Sequence, residues 1–198
     1  DLAAAGQGTW SASDVVSFDP SDTDTVFDGL GVSLQNYSGV FRDAYGLYVG
    51  GTTGTAGHAV SYISLDGSTN RVLVTGLGSY SAGIAIDGDG NLYASDQDSG
   101  DVYRFDAADL QNAMTGSPLT TADGTFLHSF DTTGSLAIDG IGRLWAAGYQ
   151  VNGIEVYDPA KDEEITILPG LDNAHYTVAS FSREGEDFVA FLDRDTWT

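Results

Sequence analysis

The chain has 198 residues, 41% of them hydrophobic and 11% aromatic, so it can bury a core and fits a single domain over residues 1–198. Its 29 Asp and Glu against 7 Lys and Arg give a formal net charge of −22, which repels nucleic acid and anionic lipid. The absence of cysteine excludes disulfides, thiolate metal sites and a cysteine nucleophile.

Five segments along the chain share a polar or glycine turn, a large apolar residue, and then small or apolar residues. They read DLAAAG, GLYVGG, NLYASD, RLWAAG and DFVAFLD. Their marker residues Leu2, Leu47, Leu92, Leu144 and Phe188 are separated by 45, 45, 52 and 44 positions. The chain is therefore an internal repeat of about 45 residues with one insertion.

Two more β-rich runs follow four of these markers. The first alternates with period two, which is typical of a half-buried strand, and ends in Asp. These runs are VVSFD, VSYISLD, DVYRFD and IEVYD. After a polar turn comes a second run, which reads TVFDGL, RVLVTGL, TFLHSFD or EITILPGL. Each of these four repeats thus contains a marker strand, then the alternating run, which we call the third strand, and then the second run, which we call the outer strand.

A short strand of small and apolar residues precedes each later marker. The four read SGVF from Ser38, GIAI from Gly83, SLAI from Ser135 and TVAS from Thr177. Three of them pass through an Asp-x-x-Gly turn into the marker strand. We call these short strands the inner strands, and together with the other three they predict four-stranded antiparallel meanders. The longest helical pattern lies in the insertion around DAADLQNAM.

Tandem four-stranded sheets of this length predict an all-β fold, a β-propeller whose blade repeats start near residues 1, 38, 81 and 135. Residues 175–198 are expected to close the ring. Four blades account best for the strands, and five blades or a fragment of a larger ring are the alternatives. A spare terminal strand would be suited to pairing with a neighbouring molecule.

The segment IAIDGDGNLYASDQDSGDVYRFD resembles a blade of the NHL-type and related six-bladed propellers. Their blades read a small-apolar strand, D-x-x-G-N, an apolar-Tyr strand, and a strand ending in Phe-Asp. The resemblance is strongest over residues 81–106. It implies an architecture and leaves function open, because such propellers host many unrelated functions.

The turn of that segment also holds candidate calcium ligands. Asp87, Asp89 and Asn91 carry side-chain oxygens at alternate positions, as the first ligands of a calcium loop do. Against this hypothesis, Leu92 stands where such a loop needs glycine. The residues that follow belong to a marker strand, and an extended strand cannot curl around an ion.

The sibling turns favour a different explanation of these aspartates. They keep Asp and Gly at the first and fourth positions but put Tyr45 and Ile141 where Asp89 stands. Asp accepts local backbone N–H groups and Gly adopts positive φ, so the shared requirement is that of a hairpin turn. A Ca²⁺ role for Asp87, Asp89 and Asn91 remains the alternative.

Propeller ligands usually bind in the central channel. The lactonase and lyase propellers, which this chain resembles in ring architecture, use acids, asparagines or histidines on their inner strands, commonly with a divalent metal. The inner strands predicted here carry none of these side chains. The loops that enter them instead offer Tyr37, Tyr80, His175 and Tyr176, which either stack on a sugar or other flat ligand or fill the channel.

These patterns predict a non-catalytic binding or assembly module, with a protein or carbohydrate partner at the propeller face or self-association through a terminal strand. The acidic composition suits a saline medium. The predicted location is extracellular or at the cell surface, on the assumption that a signal peptide has been removed. The alternative is a metal-dependent, lactonase- or lyase-like enzyme with its site at the channel mouth. No apolar run reaches the roughly 20 residues that span a bilayer.

Overall fold

The computed structural model describes residues 40–42, 45–53, 57–64, 68–78, 83–96, 98–131, 133–148, 154–167, 178–183 and 186–191. Its strands are β1 (Val40–Arg42), β2 (Gly46–Thr53), β3 (Gly57–Ser64), β4 (Asn70–Thr75), β5 (Ile84–Ile86), β6 (Leu92–Ser95), β7 (Asp101–Phe105), β8 (Leu119–Thr120), β9 (Thr125–Ser129), β10 (Ser135–Ile138), β11 (Leu144–Ala147), β12 (Ile154–Asp158), β13 (Glu163–Ile167), β14 (Val178–Arg183) and β15 (Glu186–Phe191). Helix α1 (Ala107–Ala113) and a short 3₁₀ turn (Thr121–Asp123) lie between β7 and β9.

The strands of the described residues form four sheets in which neighbours in space are mostly neighbours in sequence. Their orders are β1-β2-β3-β4-β8, β5-β6-β7-β9, β10-β11-β12-β13 and β14-β15. Apart from β8, every pairing is antiparallel. The predicted order of inner, marker, third and outer strand is confirmed in the first three sheets. The fold is a β-propeller of about four blades.

The hydrophobic core consists of layers between successive sheets, which explains why the marker strands β6 and β11 are buried on both faces. In β6, Leu92 and Ala94 pack against the first sheet, whereas Tyr93 between them packs against the third. In β11, Leu144 packs against the second sheet and Ala147 against β14. Because side chains alternate across a strand, each blade contributes to the two layers beside it.

The inner strands run side by side in the same direction. A Cβ on Gly83 at the start of β5 would come within 3.0 Å of the Leu136 nitrogen in β10, so glycine permits a close approach of the two strands. The Ser135 hydroxyl accepts a hydrogen bond from the Val178 N–H at 3.2 Å. The Ser180 hydroxyl donates to the Ile138 carbonyl. The turns that follow β5 and β10 therefore emerge at the same end of the channel.

The insertion predicted from the spacing of the markers forms a strap from the second blade to the first. Leu110 and Ala113 of α1 are buried in the core layer between those blades. β8 extends the first sheet by pairing with β4 in parallel. The Arg71 guanidinium donates to the Met114 carbonyl at 3.0 Å. Within the described part of the chain, no helix has the length and apolar character needed to cross a membrane.

Candidate ligand-binding site at the mouth of the channel

A cavity of about 570 Å³ opens where the inner strands end. Ile86 and Ile138, the last residues of β5 and β10, line it together with Ser180 of β14 and Phe188 of β15. A narrower apolar space of about 170 Å³ continues along the inner strands. The cavity thus has an apolar floor assembled from three blades, and we call it the mouth cavity.

The turns after β5 and β10 supply the polar part of the lining. Asp87 and Asp89 come from the first turn and Asp139 from the second. In each turn the fourth residue is a glycine with positive φ, 84° at Gly90 and 87° at Gly142. Other residues rarely adopt this conformation, so the Asp-x-x-Gly pattern is explained by the backbone of the turn.

In the second blade, the Asp87 carboxylate accepts four hydrogen bonds within its own hairpin. Oδ1 accepts the backbone N–H groups of Asp89 and Asn91, both at 2.9 Å. Oδ2 accepts the Asn91 side-chain amide at 2.9 Å and the Tyr93 hydroxyl at 3.0 Å. All four donors are neutral groups, so the turn retains the negative charge of this aspartate.

The third blade repeats this arrangement with different donors. Oδ1 of Asp139 accepts the N–H groups of Ile141 at 3.1 Å and Arg143 at 2.9 Å. Oδ2 accepts the Arg143 guanidinium at 2.7 Å and the Trp145 indole at 2.9 Å. Because Arg143 is a cation, it offsets the charge of Asp139.

Both carboxylates are stabilised in their ionised form. Burial raises the pKa of Asp87, but the hydrogen bonds from Asn91, Tyr93 and Asp89 outweigh it, so the pKa is lowered overall. Burial also raises the pKa of Asp139, but the hydrogen bonds from Trp145 and Arg143 outweigh it, so this pKa is lowered as well. Burial and then the bond to Asp87 raise the pKa of Tyr93 to about 12. These aspartates are therefore poor proton acceptors, and the tyrosine remains a donor.

The residues predicted to bind calcium are partly engaged in this turn. Both oxygens of Asp87 accept hydrogen bonds, and the Asn91 side-chain oxygen accepts the Ala107 N–H at 3.1 Å. Of the three candidate ligands, Asp89 is therefore the one whose carboxylate is readily available, whereas Ca²⁺ takes about six to eight oxygen ligands. This set does not fit a Ca²⁺ ion well. In the described residues, no group of three or more His, Asp or Glu side chains is placed to hold a metal. The calcium role of Asp87, Asp89 and Asn91 stays a prediction.

A calcium loop that began at Asp87 would take further ligands from Ser95 and Asp98, but both residues are used in another way. Residues 92–95 form β6, as expected, and the Ser95 hydroxyl accepts the Gly83 N–H at 2.9 Å. Asp98 is exposed in the next hairpin, where its N–H donates to the Asp96 carboxylate at 2.9 Å. The chain therefore does not wrap around a single centre from Asp87 to Asp98.

The predicted aromatic ligand site is a separate set of residues from the lining of the mouth cavity. Tyr37, Tyr80, His175 and Tyr176 lie outside the described residues and stay predictions. They precede the inner strands in sequence, whereas the mouth cavity lies where β5 and β10 end.

Most of the lining residues were not predicted as site residues from the sequence. Ile86, Ile138, Ser180 and Phe188 read as ordinary strand positions, because they belong to the same repeat pattern that builds the core. The signal that points towards them is the recurring Asp-x-x-Gly turn, since two such turns come directly after Ile86 and Ile138.

A second group of titratable side chains lies away from the mouth cavity, between the second and third blades. His128 of β9 stacks on Tyr157 with ring centroids 4.3 Å apart and contacts the Glu164 carboxylate at 2.8 Å. Glu155 is buried, and burial, followed by the charges of Asp131 and Glu164, raises its pKa to about 7. These contacts join two blades. His128 is in an outer strand as predicted.

No family model matches the sequence, and no curated protein sequence matches it. Solved structures do resemble it. Hydrazine synthase from Kuenenia stuttgartiensis aligns with a TM-score of 0.50 and 16% identity, over 83% of this chain and 48% of that one. A luciferin-regenerating enzyme aligns with a TM-score of 0.51 and 19% identity, over 71% and 48%. Regucalcin, a calcium-binding protein from Agrobacterium tumefaciens, aligns with a TM-score of 0.40 and 11% identity, over 74% and 61%.

The likeness to the first two structures is one of fold, since their sequence identity to this chain is below 20%. The chain spans about half the length of each, 48% in both cases. The predicted propeller resemblance is confirmed at the level of architecture. Membership of the NHL-type family stays a prediction. The strand order and the likeness to the first two structures show that the chain has the β-propeller fold.

Proposed function

We propose that this protein is a binding module that takes, in the mouth cavity, a positively charged group carried on an apolar body. The observation that carries the proposal is the cavity itself, about 570 Å³ in volume and lined by apolar side chains and by aspartates. That volume lies within the range of small-molecule sites, which is about 300–1,000 Å³.

The charge of the lining supports a cationic ligand. Asp139 is offset by Arg143 at 2.7 Å, whereas the four donors to Asp87 are neutral. Asp89 is exposed at the same turn. A cation about 4 Å from one such carboxylate gains roughly 1 kcal/mol in water and up to about 4 kcal/mol at a partly desolvated surface. An anion would be repelled by the same amounts, and the net charge of −22 adds to this bias.

The state of the carboxylates supports binding over catalysis. A general base needs a pKa near the working pH, and the pKa values of Asp87 and Asp139 are shifted the other way. The oxygens that hold the turns are already occupied by hydrogen bonds. Their charge still acts on a ligand through space.

Thermal unfolding with small probes tests this proposal. Hexylammonium should raise the melting temperature in a dose-dependent manner, whereas hexanoate at the same concentration should not, because only the ammonium ion matches the charge of the cavity. Gly88→Leu should abolish the shift. Gly88 lines the cavity, and a Cβ there meets no atom within 4 Å, so leucine can enter the space without strain. Gln111→Leu on the exposed face of α1 is the matched control.

Equal shifts with hexylammonium and hexanoate, or a shift that survives in Gly88→Leu, would contradict the proposal. The same titration with CaCl₂ tests the metal-dependent alternative. A calcium-induced rise that is lost in Asp89→Asn would favour that alternative.

A further inference from the structure

The contact between the second and third blades contains a buried ionisable side chain. The layer between the first two blades consists of apolar and aromatic side chains, and the strap with α1 and β8 bridges it. In the next layer, Glu155 of β12 is only 6% exposed. Tyr157, two residues further along the same strand, packs in the core layer between the second and third blades. Because alternate residues of a strand share a face, Glu155 projects towards the second blade as well.

Groups from both blades surround this carboxyl group. Its Oε2 accepts the Asp131 N–H at 3.2 Å, and Asp131 follows β9 of the second blade. Glu164 of β13 pairs with Tyr157 and therefore lies on the same face of the third blade. His128 of β9 stacks on that tyrosine with ring centroids 4.3 Å apart and contacts the Glu164 carboxylate at 2.8 Å. The Tyr157 hydroxyl donates to Asp162 at 2.9 Å. These groups add three carboxyl groups, an imidazole and a phenol to the contact.

The protonation state of Glu155 is set by burial and by these neighbours. Burial raises its pKa most, and the charges of Asp131 and Glu164 raise it further. The Asp131 N–H lowers the pKa, but the result is about 7 instead of the ordinary 4.5. On β11, the residue opposite Glu155 is Ala146, which carries no charge. A protonated His128 places a positive charge beside Glu164. Loss of a proton from Glu155 or from His128 thus adds uncompensated negative charge between the blades.

We infer that this contact between the two blades is a proton-dependent joint, which is strongest while Glu155 is protonated and weakens when Glu155 ionises. Ionisation places a further negative charge in a buried layer beside the carboxylates of Asp131 and Glu164. A buried carboxylate needs charge compensation or several hydrogen bonds, and the Asp131 N–H is a single neutral donor. The joint lies outside the lining of the mouth cavity, so the inference does not depend on the proposed function.

Urea denaturation between pH 5 and pH 8 tests the inference. Because the pKa of Glu155 is raised on folding, its contribution to stability is full below 4.5 and is lost as the pH rises through about 7. The folding equilibrium constant should therefore fall by at least about tenfold between pH 5 and pH 8. Glu155→Gln keeps an oxygen for the Asp131 N–H and carries no charge, so it should abolish most of this fall. Glu186→Gln removes a carboxylate from an exposed site on β15 and should retain the fall.

A double-mutant cycle shows whether the effect crosses from one blade to the other. Asp131→Asn keeps the backbone donor and removes one neighbouring charge, so it should make the fall smaller. In the Glu155→Gln background, the same substitution should leave the pH dependence unchanged. A fall of full size in Glu155→Gln, or an effect of Asp131→Asn that is equal in both backgrounds, would overturn the inference. If Glu155→Gln does not fold, Asp131→Asn alone decides, and a fall as large as in the unmodified protein overturns the inference.

Discussion

The turns after β5 and β10 each hold an aspartate carboxylate in the same way, but the side chains that donate hydrogen bonds to the two carboxylates differ. Asp87 and Asp139 each accept two backbone N–H groups on Oδ1 and two side-chain donors on Oδ2. The side-chain donors are an amide and a phenol in one blade, and a guanidinium and an indole in the other.

The comparison separates what the fold demands from what it tolerates. The first position must accept hydrogen bonds and the fourth must adopt positive φ, so Asp and Gly occur in both turns. The fifth and seventh positions need only a donor of suitable reach. The third position contributes only its backbone, so Asp89 and Ile141 are interchangeable as far as the turn is concerned. Residues at the third position are therefore free to serve recognition.

The largest expected effect comes from removing the carboxylate. Asp139→Ala should lower the free energy of unfolding by about 3 kcal/mol or more, because hydrogen bonds to charged groups contribute about 1.5–3 kcal/mol each and the Asp139 side chain is only 2% exposed. Asp87→Ala should cost less, about 2 kcal/mol, since all four of its donors are neutral and Asp87 is less buried than Asp139. Urea denaturation monitored by tryptophan fluorescence measures both.

The pH dependence of Asp139→Asn provides the control for that effect. The pKa of Asp139 is lowered on folding from its ordinary value of 3.8, so its contribution is fully present above that value and is lost as the pH falls through the folded pKa. The loss in free energy of unfolding of the variant relative to the unmodified protein should be full at pH 7 and should shrink below pH 3.8. A deficit that stays constant down to low pH would show that ionisation of this carboxylate does not stabilise the turn.

A smaller effect is expected at the glycines. Gly142→Ala should cost about 1–2 kcal/mol, because φ is +87° there and an L-residue is strained in that region even though a Cβ would meet nothing within 4 Å. Gly88→Ala, in the sibling turn, has equally open space without positive φ and should be neutral or slightly stabilising. Equal costs at the two positions in urea denaturation would contradict the assignment of strain to φ.

The smallest effect should follow from exchanging the residues at the third position of the two turns. Asp89→Ile and Ile141→Asp should each change the free energy of unfolding by less than about 0.5 kcal/mol, as exposed substitutions usually do. Urea denaturation measures both variants. A loss of more than about 1 kcal/mol in either variant would show that the side chain at this position is part of the fold.

Much of the architecture could be predicted from the sequence because its signals are local. Alternation of apolar residues placed the strands from Leu92 to Asp106, and the Asp-x-x-Gly pattern placed the hairpins at Asp87 and Asp139. The step of 52 between Leu92 and Leu144 located the insertion that contains α1. These features depend on side-chain period and turn chemistry, which act over a few residues.

The candidate site was harder to predict. The sequence offers Asp87 and Asp89 as metal ligands only as the alternative to a hairpin turn, and the structure places both on a cavity together with apolar side chains that no motif singles out. Tyr37, Tyr80, His175 and Tyr176, at the other end of the inner strands in sequence, stay predictions.

The sequence by itself determined the repeat, the strand order within blades and the turns, because these follow from contacts between residues that are close along the chain. Only the tertiary structure decided that Ile86, Ile138 and Phe188 share one cavity, since their blades meet through packing of whole sheets. It also decided that β8 pairs with β4 rather than with its own blade. Such long-range pairings depend on shape complementarity between sheets, which periodicity does not encode.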